Sequence, residues 1–321
     1  MKAVVLEKAC SAEELVVRNV PLPCVKPGWV LVKIKAFGIN RSEIFTRQGD
    51  SPSVKLPRII GIECVGEILD PSDSDFQTGQ HIVSLMGGLG RDFDGSYAEY
   101  TLIPANQVYS IEHDIDWITL AAIPEMYYTA YASLFETLKV TADETLLIRG
   151  GTSSVGLAAL QLAKSVGLTV FSTTRDEKKI SLLQHYGADH VLLEDGTLRE
   201  QVLSIMPNGV NNVLELVGTA TLKNSLQLVA EHGKVCMTGI LSGEWVMDHF
   251  EPMIDIPTNT YLTQFTSTFI KKDLLNDLFD HILKHDIHVP IAKVFKLDEI
   301  GEAHRLMESN QANGKIVVTN E

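Results

Sequence analysis

The stretch Leu146-Leu147-Ile148-Arg149-Gly150-Gly151-Thr152-Ser153-Ser154-Val155-Gly156 carries the strongest chemical signal in the chain. An apolar run enters a loop of small residues, and the loop opens a helical pattern. Such a loop lets backbone N–H groups approach a pyrophosphate, and the helix N-terminus adds partial positive charge. Gly151 is expected to supply the tight turn, and Gly156 to let the helix pack close to the strand. Ser153 stands where the G-x-G-x-x-G pattern has its second glycine. It is small enough to keep the approach open, and its hydroxyl offers a hydrogen bond. With Thr152, Ser154 and Val155 these residues form the expected phosphate cradle. The loop has a strand before it, a helix after it and further strands downstream, which is the context of a dinucleotide site.

The next strand end decides which dinucleotide. It reads Thr169-Val170-Phe171-Ser172-Thr173-Thr174-Arg175-Asp176-Glu177-Lys178-Lys179. An NAD site usually places a carboxylate here for the ribose 2′-OH. Ser172, Thr173 and Thr174 stand there instead. Arg175 and Lys179 follow within reach of a 2′-phosphate, which arginine can grip with two hydrogen bonds. NADPH is therefore the expected cofactor, held by Thr174, Arg175 and Lys179. Two features compete with this reading. Arg175 and the lysines could be a solvated helix start balanced by Asp176 and Glu177. Glu194, after the following apolar run, could lie near the adenosine end.

The elements that must position these residues change along the chain. From Thr145 short apolar runs recur at 145–148, 168–171, 190–193, 213–217 and 234–237, with helix-period segments between them. Val155, Ala158, Ala159, Leu162, Ala163 and Val166 share one helical face, and Gly167 stops it. This alternation implies βαβ crossovers and a parallel sheet. The first third is different: Val32, Ile34 and Ala36 alternate in one segment, and Gly and Pro break several short strands. A partly open barrel or rolled sheet follows. Near the end, 272–284 and 299–308 read as amphipathic helices and 314–319 as a last strand.

A chain of 321 residues suggests about two domains. The net charge of −14 argues against a general nucleic-acid binder, which needs a basic footprint. Cys10, Cys24, Cys64 and Cys236 are far apart, so neither a disulfide framework nor a Cys-rich zinc site is expected. Free thiols, no signal-peptide core and no spanning segment point to a cytoplasmic protein without membrane partners.

Beyond these patterns, the chain resembles the medium-chain dehydrogenase/reductase superfamily, most closely its zinc-free quinone oxidoreductase-like branch. The resemblance is carried by Gly38-Ile39-Asn40-Arg41-Ser42-Glu43 through Arg47 and Gly49, by Pro57 through Gly61-Ile62-Glu63 to Gly66, and by Gly95-Ser96-Tyr97-Ala98-Glu99-Tyr100. Tyr128-Thr129-Ala130-Tyr131, Glu215-Leu216-Val217-Gly218, Met237-Thr238-Gly239, Ala303-His304-Arg305 and Gly314-Lys315-Ile316-Val317 extend it over nearly the whole length. The resemblance implies an α/β protein: a GroES-like β-barrel domain from residues 1–118 and 262–321, around a Rossmann doubly wound parallel-sheet domain at 119–261. It also implies a homodimer.

Zinc-dependent relatives place Cys near the position of Asn40 and His at that of Ile62. Isoleucine has no donor atom, so no metal is expected here. Without a Lewis acid, ordinary alcohol oxidation is disfavoured. A quinone or a C=C bond conjugated to a carbonyl fits better as hydride acceptor. By resemblance, Asn40 sits beside the nicotinamide and substrate. Thr129, Val217, Gly239, Leu241, Phe265 and Lys315 approach the cofactor. Some relatives carry a tyrosine near the position of Phe45 or just after Gly49, where this chain has Asp50 and Ser51. Tyr127, Tyr128 and Glu43 are the remaining candidate acids. Tyr127 also suits a core position, Glu43 a pair with Arg47, and solvent is the other proton source. The alternatives to the oxidoreductase are an enoyl-thioester reductase and a catalytically weak NADPH-binding sensor or structural protein.

Overall fold

The computed structural model describes all 321 residues, and the chain divides into two compact units. The first comprises Met1–Glu125, Ser267–Leu275 and Val289–Glu321, the second Met126–Thr266 and Asn276–His288. No helix is long and apolar enough to cross a membrane.

In the first unit the strands are β1 (Lys2–Leu6), β2 (Val17–Asn19), β3 (Trp29–Gly38), β4 (Arg58–Ile59), β5 (Glu63–Asp70), β6 (His81–Leu85), β7 (Tyr100–Pro104) and β8 (Tyr109–Ser110). Helices α1 (Arg41–Gln48) and α2 (Trp117–Ala122) accompany them. β3 is the spine. It pairs antiparallel with β5 along one edge, and with β7 and the final strand along the other. Register shifts at Leu31/Val32 and Ile34/Ala36 bend it, as a rolled sheet requires. Val32, Ile34 and Ala36 are all buried, as their alternation predicts.

In the second unit α3 (Pro124–Tyr131, begun at the unit boundary) continues into a π-helical turn at Ala132–Leu138. There follow β9 (Thr145–Arg149), α4 (Ser154–Ser165), β10 (Thr169–Thr174), α5 (Ile180–His185), β11 (His190–Leu193) and α6 (Leu198–Ile205). Next come β12 (Val210–Glu215), α7 (Thr219–Leu226), β13 (Val229–Met237), α8 (Pro252–Asp255) and β14 (Tyr261–Gln264). The six strands pair in parallel in the order β11-β10-β9-β12-β13-β14. This is the 3-2-1-4-5-6 order of a doubly wound dinucleotide-binding sheet. The order in which strands are added reverses between β9 and β12, so a ligand crevice is expected beyond their carboxyl ends.

The chain then forms α9 (Lys272–Lys284), β15 (Ile291–Lys296), α10 (Ile300–Glu308) and β16 (Lys315–Thr319). β16 returns to β3, pairing Val317 with Gly38 and Val318 with Phe37. Ile316, Val318, Phe295 and Ile300 thereby enter the core begun by Val4 and Val30, which is why both chain ends build one unit.

The expected boundaries need correction at both ends. The one at 118/119 cuts through α2, which packs against β3, β5 and β16 of the first unit. The one at 261/262 cuts through β14, which pairs with β13 and so belongs to the second unit. Residues 276–288, the greater part of α9 with its exit, also lie there.

Candidate active site

The loop after β9 is built as its small residues demand, with one exchange of roles. Gly150, not Gly151, takes the positive φ of +80° and makes the turn. Gly151 is required for a different reason: a Cβ there would overlap Ser172 Oγ on β10. Gly156 lies against the carbonyls of Gly150 and Gly151, so α4 can start close beneath the loop. The Ser153 hydroxyl does not point outward to a ligand. It caps α4, accepting the Gly156 N–H at 3.0 Å and donating to Gly150 O at 2.8 Å. The N–H groups of Ser154 and Val155, in the first turn of α4, have no acceptor within the chain. Thr152 is half-buried beside them. The loop therefore offers oriented donors at the positive end of a 12-residue helix.

β10 ends beside this loop. Thr173 accepts the N–H groups of Gly150 and Gly151, through Oγ1 and the carbonyl, each at 3.2 Å. Thr174 is buried, and its Oγ1 accepts the Asp176 N–H at 3.1 Å. Arg175 is exposed and makes no ion pair within the chain. Lys179 is half-buried, and burial lowers its pKa. The Glu194 carboxylate is gripped by Arg149, with Nε–Oε1 at 2.9 Å and Nη2–Oε2 at 2.5 Å.

The remaining strand ends are sewn together along the same edge. Thr238 and Gly239 donate N–H bonds to Glu215 O, and Leu241 donates to Leu216 O. Glu215 Oε1 accepts the N–H groups of Val217 and Gly218 at 2.7 and 3.0 Å, fixing that loop. Phe265 follows β14, and its N–H reaches Met237 O. Thr129 is tied to this edge through Ser133, whose hydroxyl donates to Thr129 O at 2.7 Å and meets Thr238 Oγ1 at 2.9 Å. Thus Thr129, the 151–155 loop, Thr174, Arg175, Val217, Gly239, Leu241 and Phe265 all belong to the second unit.

Tyr127 also lies there, but not as an accessible acid. It is fully buried, and its hydroxyl accepts the Gln161 amide of α4 at 3.0 Å. Burial pushes its pKa up. The catalytic expectation for Tyr127 is corrected to a core residue.

Asn40, Glu43 and Lys315 meet in the first unit, joined by Glu63. Lys315 Nζ lies 2.6 Å from both Glu63 Oε1 and Asn40 Oδ1. Asn40 Nδ2 donates to Glu63 Oε1 at 2.8 Å, and Glu125 N–H donates to Glu63 Oε2 at 2.8 Å. Glu43 closes the group, accepting the N–H of Asn40 and that of Ile62, each at 3.2 Å. Gly38 is packed so close that a Cβ would overlap Lys315 Cε.

Two expectations change here. Lys315, expected to approach the cofactor, is fully buried with its ammonium committed to Glu63 and Asn40, where it supports the cluster. Glu43 does not pair with Arg47, which reaches Glu308 of α10 instead. Burial, followed by the charge of Glu63, raises the Glu43 carboxyl to about 7. Sequence reasoning assigned Glu63 no role. Its signals were a charge set in the apolar run Ile59-Ile60-Gly61-Ile62-Glu63-Cys64-Val65 and its place in the Pro57–Gly66 segment that carries the resemblance.

The chain matches two family models, the alcohol dehydrogenase GroES-like domain over residues 26–113 and the zinc-binding dehydrogenase over residues 186–318. Among curated proteins, quinone oxidoreductase of Rattus norvegicus is 30% identical over 69% of this chain and 67% of its own. The Homo sapiens quinone oxidoreductase is 26% identical over 99% of this chain and 97% of its own. Among solved structures, a mycobacterial protein complexed with NADPH superposes with a TM-score of 0.88 at 25% identity, covering 99% of both chains. With the doubly wound sheet, the phosphate loop and the β domain built from both chain ends, these likenesses agree: the chain belongs to the medium-chain dehydrogenase/reductase superfamily, among its quinone oxidoreductase-like members.

Proposed function

We propose that the protein is a zinc-independent, NADPH-dependent oxidoreductase that reduces quinones or α,β-unsaturated carbonyl compounds by hydride transfer. The observation that carries the reading is the strand-end charge pattern. Arg175 is exposed and unpaired beside a phosphate loop, while Glu194 is neutralised by Arg149. That edge suits a 2′-phosphate and disfavours the bare 2′-hydroxyl. The N–H groups of Ser154 and Val155 fit the pyrophosphate, and Thr129, Val217, Leu241 and Phe265 are the residues proposed to seat the nicotinamide end. Bound NADPH supplies the hydride. The protein's part is then to hold the two reactants in register and exclude water.

A catalytic zinc does not fit the residues of this chain. Ile62 has no donor atom, and no group of three or more His, Cys, Asp or Glu side chains could hold a metal ion. The next residue's carboxylate, Glu63, is already engaged by the Lys315 ammonium and the Glu125 N–H. A divalent ion there would meet that ammonium at close range. Alcohol activation by a metal is therefore no part of the proposal. Tyr127, Tyr128 and Glu43 are all buried, so the proposed source of the proton that completes reduction is solvent.

The proposed assembly is a homodimer. β14 ends the parallel sheet; Val246, Met253 and Ile254 in the segment that leads to it are 77%, 95% and 70% exposed, and Tyr261 within it is 55% exposed. The four free cysteines are compatible with a cytoplasmic setting.

The test is NADPH oxidation by exhaustively chelated protein against quinones, enones and enoyl thioesters, with alcohols and NADP+ in the reverse direction. Turnover of quinones or enones that survives chelation supports the proposal. Alcohol turnover that follows a stoichiometric metal would refute it, and tight NADPH binding without any turnover would indicate a sensor.

A further inference from the structure

The carboxyl edge of the parallel sheet holds a second arginine that does not face solvent. Arg149 ends β9, and its side chain is 3% exposed. All three nitrogens of its fork are engaged. Nε and Nη2 hold Glu194, while Nη1 meets Asn224 Oδ1 at 2.9 Å, Ser225 Oγ at 3.1 Å and Thr221 O at 3.2 Å. Ser225 in turn donates to Glu215, the carboxylate that fixes the Val217–Gly218 loop. Glu194 follows β11, and its N–H donates to Thr174 O at 2.9 Å. Its backbone thus lies beside the strand end that leads into Arg175.

A free carboxylate at that place would accept a hydrogen bond from a ribose 2′-OH and repel a 2′-phosphate. The neighbouring Asp176 carboxylate is differently occupied, accepting the Lys178 N–H at 3.0 Å, and Glu177 is exposed.

We propose that Arg149 is a specificity-determining positioning residue: by gripping Glu194 it keeps that carboxylate from the adenosine ribose, and so preserves the preference for a 2′-phosphate. The inference rests on the NADPH reading above. Arg149 is 3% exposed, and in this proposal it acts through Glu194 alone. The two-pronged grip is one a lysine does not reproduce.

The experiment compares wild type, Arg149→Met and Arg149→Met/Glu194→Gln. Affinities for NADPH and NADH are read by nicotinamide fluorescence, and those for 2′,5′-ADP and 5′-AMP by calorimetry. A purely structural loss would lower both members of each pair together. The expected result is a fall of about tenfold or more in the NADPH-to-NADH affinity ratio in Arg149→Met, with recovery in the double variant. Stripping one partner from a buried ion pair can prevent folding. Glu194→Asp is therefore the second variant: it keeps the charge, shortens the reach to Arg149 and should lower the same ratio. A wild-type protein without NADPH preference overturns the cofactor reading and this inference with it. A wild-type preference that survives in whichever of Arg149→Met and Glu194→Asp folds overturns this inference alone.

Discussion

Lys315 and Glu63 form an ion pair, Nζ to Oε1 at 2.6 Å, with both side chains fully buried. Asn40 bridges it, accepting from the ammonium and donating to the carboxylate. A buried pair adds little net stability, but removing one partner leaves an uncompensated charge. Lys315→Met should therefore lower the unfolding free energy by about 3–5 kcal/mol. Denaturant titration checks this, and Lys315→Met/Glu63→Gln should regain part of the loss. A single variant as stable as wild type would show that the pair is not buried.

Glu43 gives the stability a pH dependence of definite sign. The folded chain holds its carboxyl near 7, well above the value it takes when unfolded, because burial and Glu63 oppose the charged form. Between those limits the folded state binds more protons. The contribution is therefore complete in acid and is lost as pH rises to about 7. Its size is on the order of 3 kcal/mol. Glu43→Gln cannot titrate, so the wild-type advantage over this variant should shrink across that range. A pH-independent difference between the two would contradict the assignment.

Gly151 tests the loop. Gly151→Ala forces a methyl group onto Ser172 Oγ, so the loop and β10 must separate. NADPH and NADH affinities should fall together by about tenfold or more, since the pyrophosphate cradle serves both. Adding Ser172→Ala removes the nearest obstructing atom and should restore part of the affinity. Unchanged binding in the single variant would mean that the cradle lies elsewhere.

Tyr127→Phe separates a core tyrosine from a catalytic one. The variant loses the Gln161 hydrogen bond and nothing at the strand ends. It should cost about 1 kcal/mol in stability and leave kcat with quinone or enone acceptors unchanged. A large fall in kcat at unchanged stability would reinstate Tyr127 as the acid.

The parts of the fold that were legible in the sequence are those with strong local periodicity. The β9–β13 runs and α4 are apolar along faces that the sheet and its helices bury, and their spacing set the crossovers. β14 escaped because the sheet edge leaves it half-exposed, and Tyr-Leu-Thr-Gln shows no apolar alternation. Gly150 and Gly151 are adjacent, and nothing local tells which takes the positive φ. The loop after β9 was legible because its small residues form one continuous motif between a strand and a helix. The ion pairs were not. Arg47 finds Glu308 at a separation of 261 residues, and Arg149 finds Glu194 at 45, whereas sequence spacing offered only the helical neighbour Glu43. Lys315 misled for the same reason: its place after Gly314 reads as a turn, and its burial depends on β16 pairing with β3.

The most direct test of the NADPH assignment is binding of NADPH and NADH, followed by nicotinamide fluorescence, in wild type and in Arg175→Ala. Arg175 is exposed and unpaired, so its removal disturbs no internal contact. Wild type should bind NADPH more tightly, and Arg175→Ala should erase that margin while leaving NADH affinity unchanged. Equal binding of both nucleotides by wild type, or of neither, would contradict it.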